Sequence, residues 1–95
     1  MDANNLLRQY SEGQRQFRSQ DLKGSNFANA NLSGVDFTDT DLRGADLSHA
    51  NLTNANLNWA MLKGASLLGA QMRGAKMPDG RIHNDRLESA NNLGL

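Results

Sequence analysis

The densest set of potential ligands in the sequence is a run of eight short polar side chains. Asp21, Asn26, Asn31, Asp36, Asp41, Asp46, Asn51 and Asn56 stand one at every fifth position. Their oxygens are of the kind that calcium takes, but calcium needs about six to eight of them converging on one point. An evenly spaced ladder is no cage, and the nonapeptide glycine–aspartate pattern of calcium-binding β-helices is missing. Side chains this short also bond to nearby backbone, a use that requires no ion. His49 and His83 are isolated, no cysteine is present, and no paired carboxylates mark a cleft. General acid–base or nucleophilic chemistry therefore has no evident carrier. The expectation is a protein without metal, cofactor, catalytic residue or small-molecule substrate.

A second set of residues stands out as apolar where its neighbours are polar. Trp59, Met61 and Leu68 interrupt a polar pattern, and the run of eight breaks at Met61. Clustered exposed apolar side chains mark contact surfaces, so these three form the candidate partner surface. The competing reading has the C-terminal tail fold back over Trp59 and Met61 and hide them. Both sets need a scaffold that fixes which residues face outward.

Composition limits that scaffold. The chain has 95 residues, 38% hydrophobic and 5% aromatic, too little for an ordinary globular core of one domain. Ten basic and ten acidic side chains cancel, which argues against broad attraction to nucleic acid or an anionic membrane. No stretch reaches the roughly 18 apolar residues of a membrane span, and the first residues lack a basic segment followed by an apolar run. A cytoplasmic protein is expected.

The apolar residues supply the organisation. Phe17, Leu22, Phe27, Leu32, Phe37, Leu42, Leu47, Leu52, Leu57, Leu62, Leu67, Met72 and Met77 recur at intervals of five without a gap. Two places before them sit small residues, mostly alanine from Ala45 to Ala75, and two places after them mostly glycine or asparagine. A helix would smear a period of five around its circumference, and a straight strand would alternate it between faces. The period fits only if the chain turns once per repeat. The small residue and the large one share a face of a short extended side, and the following glycine or asparagine supplies the positive φ of a type II turn. Coils of such sides stack ~4.8 Å apart through parallel ladder bonds, right-handed by the preference of parallel crossovers. Spacing alone leaves open whether a coil has three sides or four.

The units Ala45-Asp46-Leu47-Ser48-His49 and Ala50-Asn51-Leu52-Thr53-Asn54 resemble the pentapeptide-repeat family, over residues 15–79. The resemblance implies an all-β solenoid: a right-handed quadrilateral parallel β-helix, twenty residues per coil and about three coils here. Columns then follow, with Phe17, Phe37, Leu57 and Met77 stacked on one side. The three phenylalanines in the first half predict a fatter or fuller coil there, unless they merely replace leucine. Arg15 and Gln20 occupy positions that should be small, so they belong at an open or capped end.

Such a stack has two ends to cover. Residues 1–14 are read as a capping segment, with a helix over 3–12 whose Leu6, Leu7 and Tyr10 face the first coil. Asp2 or Asn4 caps its start and Gly13 stops it. Residues 80–95 are read as a C-terminal cap or tail, entered through a turn at Pro78, Asp79 and Gly80. Ile82, Leu87, Leu93 and Leu95 are its apolar residues, with a turn of helix over 85–91. The segment MPDGRIH at 77–83 resembles the ending of many cyanobacterial members of the family.

The functional expectation is a non-catalytic structural or protein-interaction module that binds an unknown protein or a second copy of itself. The resemblance also implies an alternative, a DNA-mimic inhibitor of type II topoisomerase. Thirteen units make roughly 16 Å of rod, only about five base pairs long. The repeats carry seven basic residues (Arg15, Arg18, Lys23, Arg43, Lys63, Arg73, Lys76) against six acidic ones (Asp21, Asp36, Asp39, Asp41, Asp46, Asp79). Length and charge both disfavour mimicry.

Overall fold

A left-handed residue at every fifth position sets the architecture. Ser19, Gly24, Asn29, Gly34, Asp39, Gly44, His49, Asn54, Trp59, Gly64, Gly69 and Gly74 all have φ between 57° and 75°. Each lies two places after a buried residue of the repeat. At eleven successive corners the N–H three places after the buried residue donates back to its carbonyl, from Ser25 to Leu22 (3.1 Å) through Ala75 to Met72 (2.9 Å). A positive φ at the third turn residue alone, closed by that bond, is a type II turn. These coordinates are a computed structural model and describe residues 1–83.

Four corners close one coil. Bridges join residues twenty apart in parallel, Gln16 with Asp36, Asp21 with Asp41, Asn26 with Asp46 and Asn31 with Asn51, and the pattern continues to Asn56 with Lys76. Each short side bonds both ways: the Leu42 N–H donates to the Met61 carbonyl (2.8 Å), and the Asp41 N–H to the Gln20 carbonyl (2.9 Å). The four sides are defined by residues 16–18, 21–23, 26–28 and 31–33, each repeated twenty and forty residues later.

Large and small residues fill the interior together. The periodic leucines and phenylalanines are buried, as are Val35, Thr40, Ala45, Ala50, Ala55, Ala60, Ala70 and Ala75 beside them. Phe37 makes tilted ring contacts with Phe17 at 6.5 Å and with Phe27 at 6.1 Å between centroids. The three rings thus fill the first coils as one aromatic cluster. Glycine is required at 69 and 74 by space as well as by φ. A Cβ there would collide with the His49 imidazole and the Asn54 amide oxygen, which lean over these corners from the coil before.

The first corner is different. No bond closes Phe17 to Gln20; the fully buried Thr40 hydroxyl donates to the Phe17 carbonyl at 2.8 Å and lies 3.4 Å from the Gln20 N–H. One side chain from the second coil thus completes a turn of the first. Thr40→Val keeps the shape but leaves that carbonyl unpaired in the core, an expected loss of about 1–3 kcal/mol in urea unfolding. A variant as stable as the parent would show the carbonyl to be satisfied elsewhere.

The N-terminal helix is α1, Ala3–Ser11, one residue shorter at its end than expected. Asp2 caps it, its carboxylate accepting from the Asn5 N–H at 2.8 Å. Gly13, at φ +103°, turns the chain out. Leu6 is fully buried, and Ala3, Leu7 and Tyr10 pack against the core. The Tyr10 hydroxyl donates to the Ser33 carbonyl of the first coil at 2.6 Å, while the Arg15 guanidinium lies 3.6 Å over the Tyr10 ring. Arg15 thus serves the covered end instead of the inner layer.

At the other end the winding stops. The Gly80 N–H donates to the Met77 carbonyl (2.8 Å) around Pro78 and Asp79, and Gly80 takes φ +86°. This three-residue loop, a type I turn followed by a left-handed glycine, makes a hairpin. Strand β1 (Ala75–Lys76) pairs antiparallel with β2 (Ile82–His83), Lys76 opposite Ile82. The expected helical turn over 85–91, and Leu87, Leu93 and Leu95, lie outside the described residues.

Candidate functional site

The outer surface follows from the corners. In each side the buried residue points inward, so the residues before and after it point out. The residue before is the aspartate or asparagine of the eight-membered run, and its Oδ1 accepts from the backbone N–H two places on. These contacts span 2.9–3.2 Å, from Asp21 with Lys23 to Asn56 with Asn58. The ladder is therefore a set of local turn braces. Among the described residues no three acidic, histidine or cysteine side chains converge as a metal site would require.

Several carboxylates in the ladder are tuned by these contacts. At Asp36 partial burial pushes the carboxyl up, but hydrogen bonds from Thr38 and from Arg18, at 2.7 Å, outweigh it and hold it below its usual range. Asp46 is lowered by the Ser48 hydroxyl and N–H. Asp41 is lowered most, to about 2, chiefly by the Arg43 guanidinium, whose Nε and Nη2 donate to its two oxygens at 2.9 and 2.7 Å. A carboxyl titration followed by NMR should give Asp41 a midpoint of about 2. Because this value lies below the unfolded one, the stabilisation from Asp41 is full above about pH 4 and fades as pH falls toward 2. A midpoint near 4 would mean that the pair does not form in solution.

After the first side of the third coil the braces give out. Met61, Ser66, Gln71 and Lys76 replace the aspartates and asparagines of the columns below them. Trp59 is 72% exposed, Met61 42% and Leu68 51%. Trp59 also sits in the left-handed region at φ +63°, where a bulky side chain is an outlier. Its backbone stays in the ladder, its N–H donating to the Pro78 carbonyl at 3.1 Å.

The three candidate residues do not form one patch. Trp59 and Met61 flank the corner between the first and second sides. Leu68 ends the third side, next to the diagonally opposite corner. Ile82, 55% exposed on β2, adds a further apolar group at the end of the rod. In the sequence this change is signalled by the break in the polar ladder at position 61 and by the apolar residues at 59 and 68.

Among the described residues no helix is long and apolar enough to cross a membrane. A comparison with curated proteins gave no significant match. The family model described as pentapeptide repeats matches residues 16–48 and 40–77, with eight copies. Among solved structures, the chain is similar to HetL, a pentapeptide repeat protein of the cyanobacterium Nostoc sp. strain PCC 7120 described as involved in heterocyst differentiation regulation. They share 38% identity and a TM-score of 0.62 over 72% of this chain and 34% of HetL, so the chain spans about a third of HetL's length. A pentapeptide repeat protein of the Arabidopsis thaliana thylakoid lumen is 36% identical over 67% of this chain and 59% of its own, with a TM-score of 0.44. A second Nostoc pentapeptide repeat protein is 33% identical over 80% and 75%, with a TM-score of 0.39. The five-residue period, the left-handed corners, the twenty-residue bridges and the family match agree, and the chain belongs to the pentapeptide repeat family, with the right-handed quadrilateral β-helix fold.

Proposed function

We propose that this chain is a non-catalytic protein-interaction module whose exterior makes the contacts. The observation that carries the reading is Trp59. An indole exposed at a left-handed corner contributes little to burial and strains its own backbone, whereas asparagine holds the equivalent corners at Asn29 and Asn54 without that strain. Met61 beside it extends the apolar contact. DNA mimicry finds no support, since Arg18 and Arg43 neutralise Asp36 and Asp41 on the surface.

Replacing Trp59 by asparagine separates the two roles of the residue. The Trp59→Asn variant should be as stable as the parent or more so, by up to about 1 kcal/mol, because asparagine tolerates the left-handed region. It should at the same time weaken association with whatever protein co-purifies with the wild-type chain from its host. If stability falls and co-purification is unchanged, the interaction reading is wrong.

A further inference from the structure

We propose that the second side of the rod is a self-association face, which pairs with the same side of a second copy about a two-fold axis parallel to the rod. The proposal rests on the reading that the exterior works by contact, and it names the partner as this chain itself. The second side carries two outward columns. One holds Asp21, Asp41 and then Met61; the other holds Lys23, Arg43 and Lys63. The columns stand two residues apart, ~6.6 Å, with rows ~4.8 Å apart. No other side sets an acidic column against a basic one; the fourth, for example, runs from asparagine to glutamine on one column and from serine to arginine on the other.

The symmetry of the pairing follows from these columns. A two-fold axis along the rod makes an isologous interface that exchanges left and right at constant height. Asp21 then faces the second copy's Lys23, and Asp41 faces its Arg43. Met61 lies along the aliphatic stem of the second copy's Lys63. An axis across the rod would instead set Asp41 against Asp41 and Arg43 against Arg43. Like charges exclude that arrangement.

The edges of the side fit as well. On its left corner stands Trp59, and on its right corner stand Gly24, Gly44 and Gly64, stacked with no side chain. A Cβ added at Gly24 would meet nothing within 4 Å, and at Gly64 only the backbone of Gly44 from 3.7 Å. The same two-fold axis brings each Trp59 to the other copy's Gly64 corner, where bare backbone leaves room for an indole. Lys23 and Lys63 make no ion pair within 4.0 Å among the described residues.

The face measures roughly 10 by 15 Å before the indole is counted, well under the roughly 800 Å² per partner of a stable interface. The dimer is therefore weak, with a dissociation constant on the order of 0.1–1 mM. Sedimentation velocity on the full chain, from about ten micromolar to a few millimolar, reads it directly. Emission from Trp59, the single tryptophan, shifts to shorter wavelength as the indole is covered.

The charge columns supply the decisive test. Asp41→Arg makes the middle row of the face wholly basic, and Arg43→Asp makes it wholly acidic. Each variant alone should associate at least about tenfold more weakly than the wild type, and an equimolar mixture of the two should recover the wild-type level. Trp59→Asn, which leaves the ladder intact, should also weaken association about tenfold should the charge variants fail to fold by circular dichroism. A wild-type chain that stays monomeric and spectrally constant throughout would overturn the proposal, as would a mixture no more associated than its components. Either result leaves co-purification with a different protein as the independent test of the interaction reading.

Discussion

Leu52→Ala is expected to cost about 3–5 kcal/mol and to lower the melting midpoint by roughly 10–30 °C. Leu52 is fully buried on the fourth side, with Leu32 in the coil before it and Met72 in the coil after. A globular core can partly collapse around a missing side chain. Here the walls are backbone sides held at fixed spacing by ladder bonds above and below, so the cavity stays open. The loss should fall at the upper end of the range seen for leucine truncation. Thermal unfolding by circular dichroism checks it, and a loss under about 1 kcal/mol would mean that the coil relaxes inward. Volume added to the small row should be costly too. Ala50 is fully buried beside Leu47 and Leu52, and Ala50→Leu would force side chains off their rotamers at about 1–3 kcal/mol or more.

The second large effect is expected at the N-terminal end. Leu6 is the one fully buried residue of α1, and it joins the interior formed by the first coil. Leu6→Ala should cost about 2–4 kcal/mol. Leu6→Glu goes further, since a carboxylate at that place would drive the helix off the end of the rod. The carbonyls of the first coil, of which Ser33 is bonded by Tyr10, would then be open to other chains, and light scattering should rise with concentration. A soluble, monomeric Leu6→Glu variant of unchanged stability would show that α1 does not protect the first coil. The same experiment separates capping from mere packing, because only capping predicts the aggregation.

Much of this organisation could be read from the sequence because the repeat constrains each residue twice. Position within the five sets inside or outside, and position within the twenty sets the neighbours above and below. The buried alanines and the left-handed corners follow from the five, whereas the stacking of Phe17 under Phe37 follows from the twenty, which only the family resemblance supplies. The braces from Asp21 to Asn56 were legible as local backbone bonding for the same reason. Arg15 and Gln20 marked the covered end because they could not fit the inner row.

The remainder depended on contacts that no period encodes. Thr40 stands in the small row like any alanine, and only its hydroxyl, reaching back to Phe17, shows why a threonine suits it. The separation of Leu68 from Trp59 and Met61 follows only once the family resemblance supplies the fourth side, since the spacing alone fits three as well. The reversal after Met77 was visible only as a turn signal. What distinguishes it from one more corner is a shift of a single residue: the left-handed glycine falls at Gly80, where the period would place it at 79.

That shift decides how tall this stack of coils can be. A chain wound in identical storeys has no inherent height, and each storey would accept another above it. The reversal at Pro78, Asp79 and Gly80 lays β2 the opposite way across the top, so the last storey on that side carries a strand of the wrong direction for further winding. Height is therefore set by how many copies of the unit precede that stop. Duplicating the twenty residues 36–55 should raise the tower by about 4.8 Å while leaving its foot and its roof as they are, so that a gene can change the length of this molecule without redesigning either end.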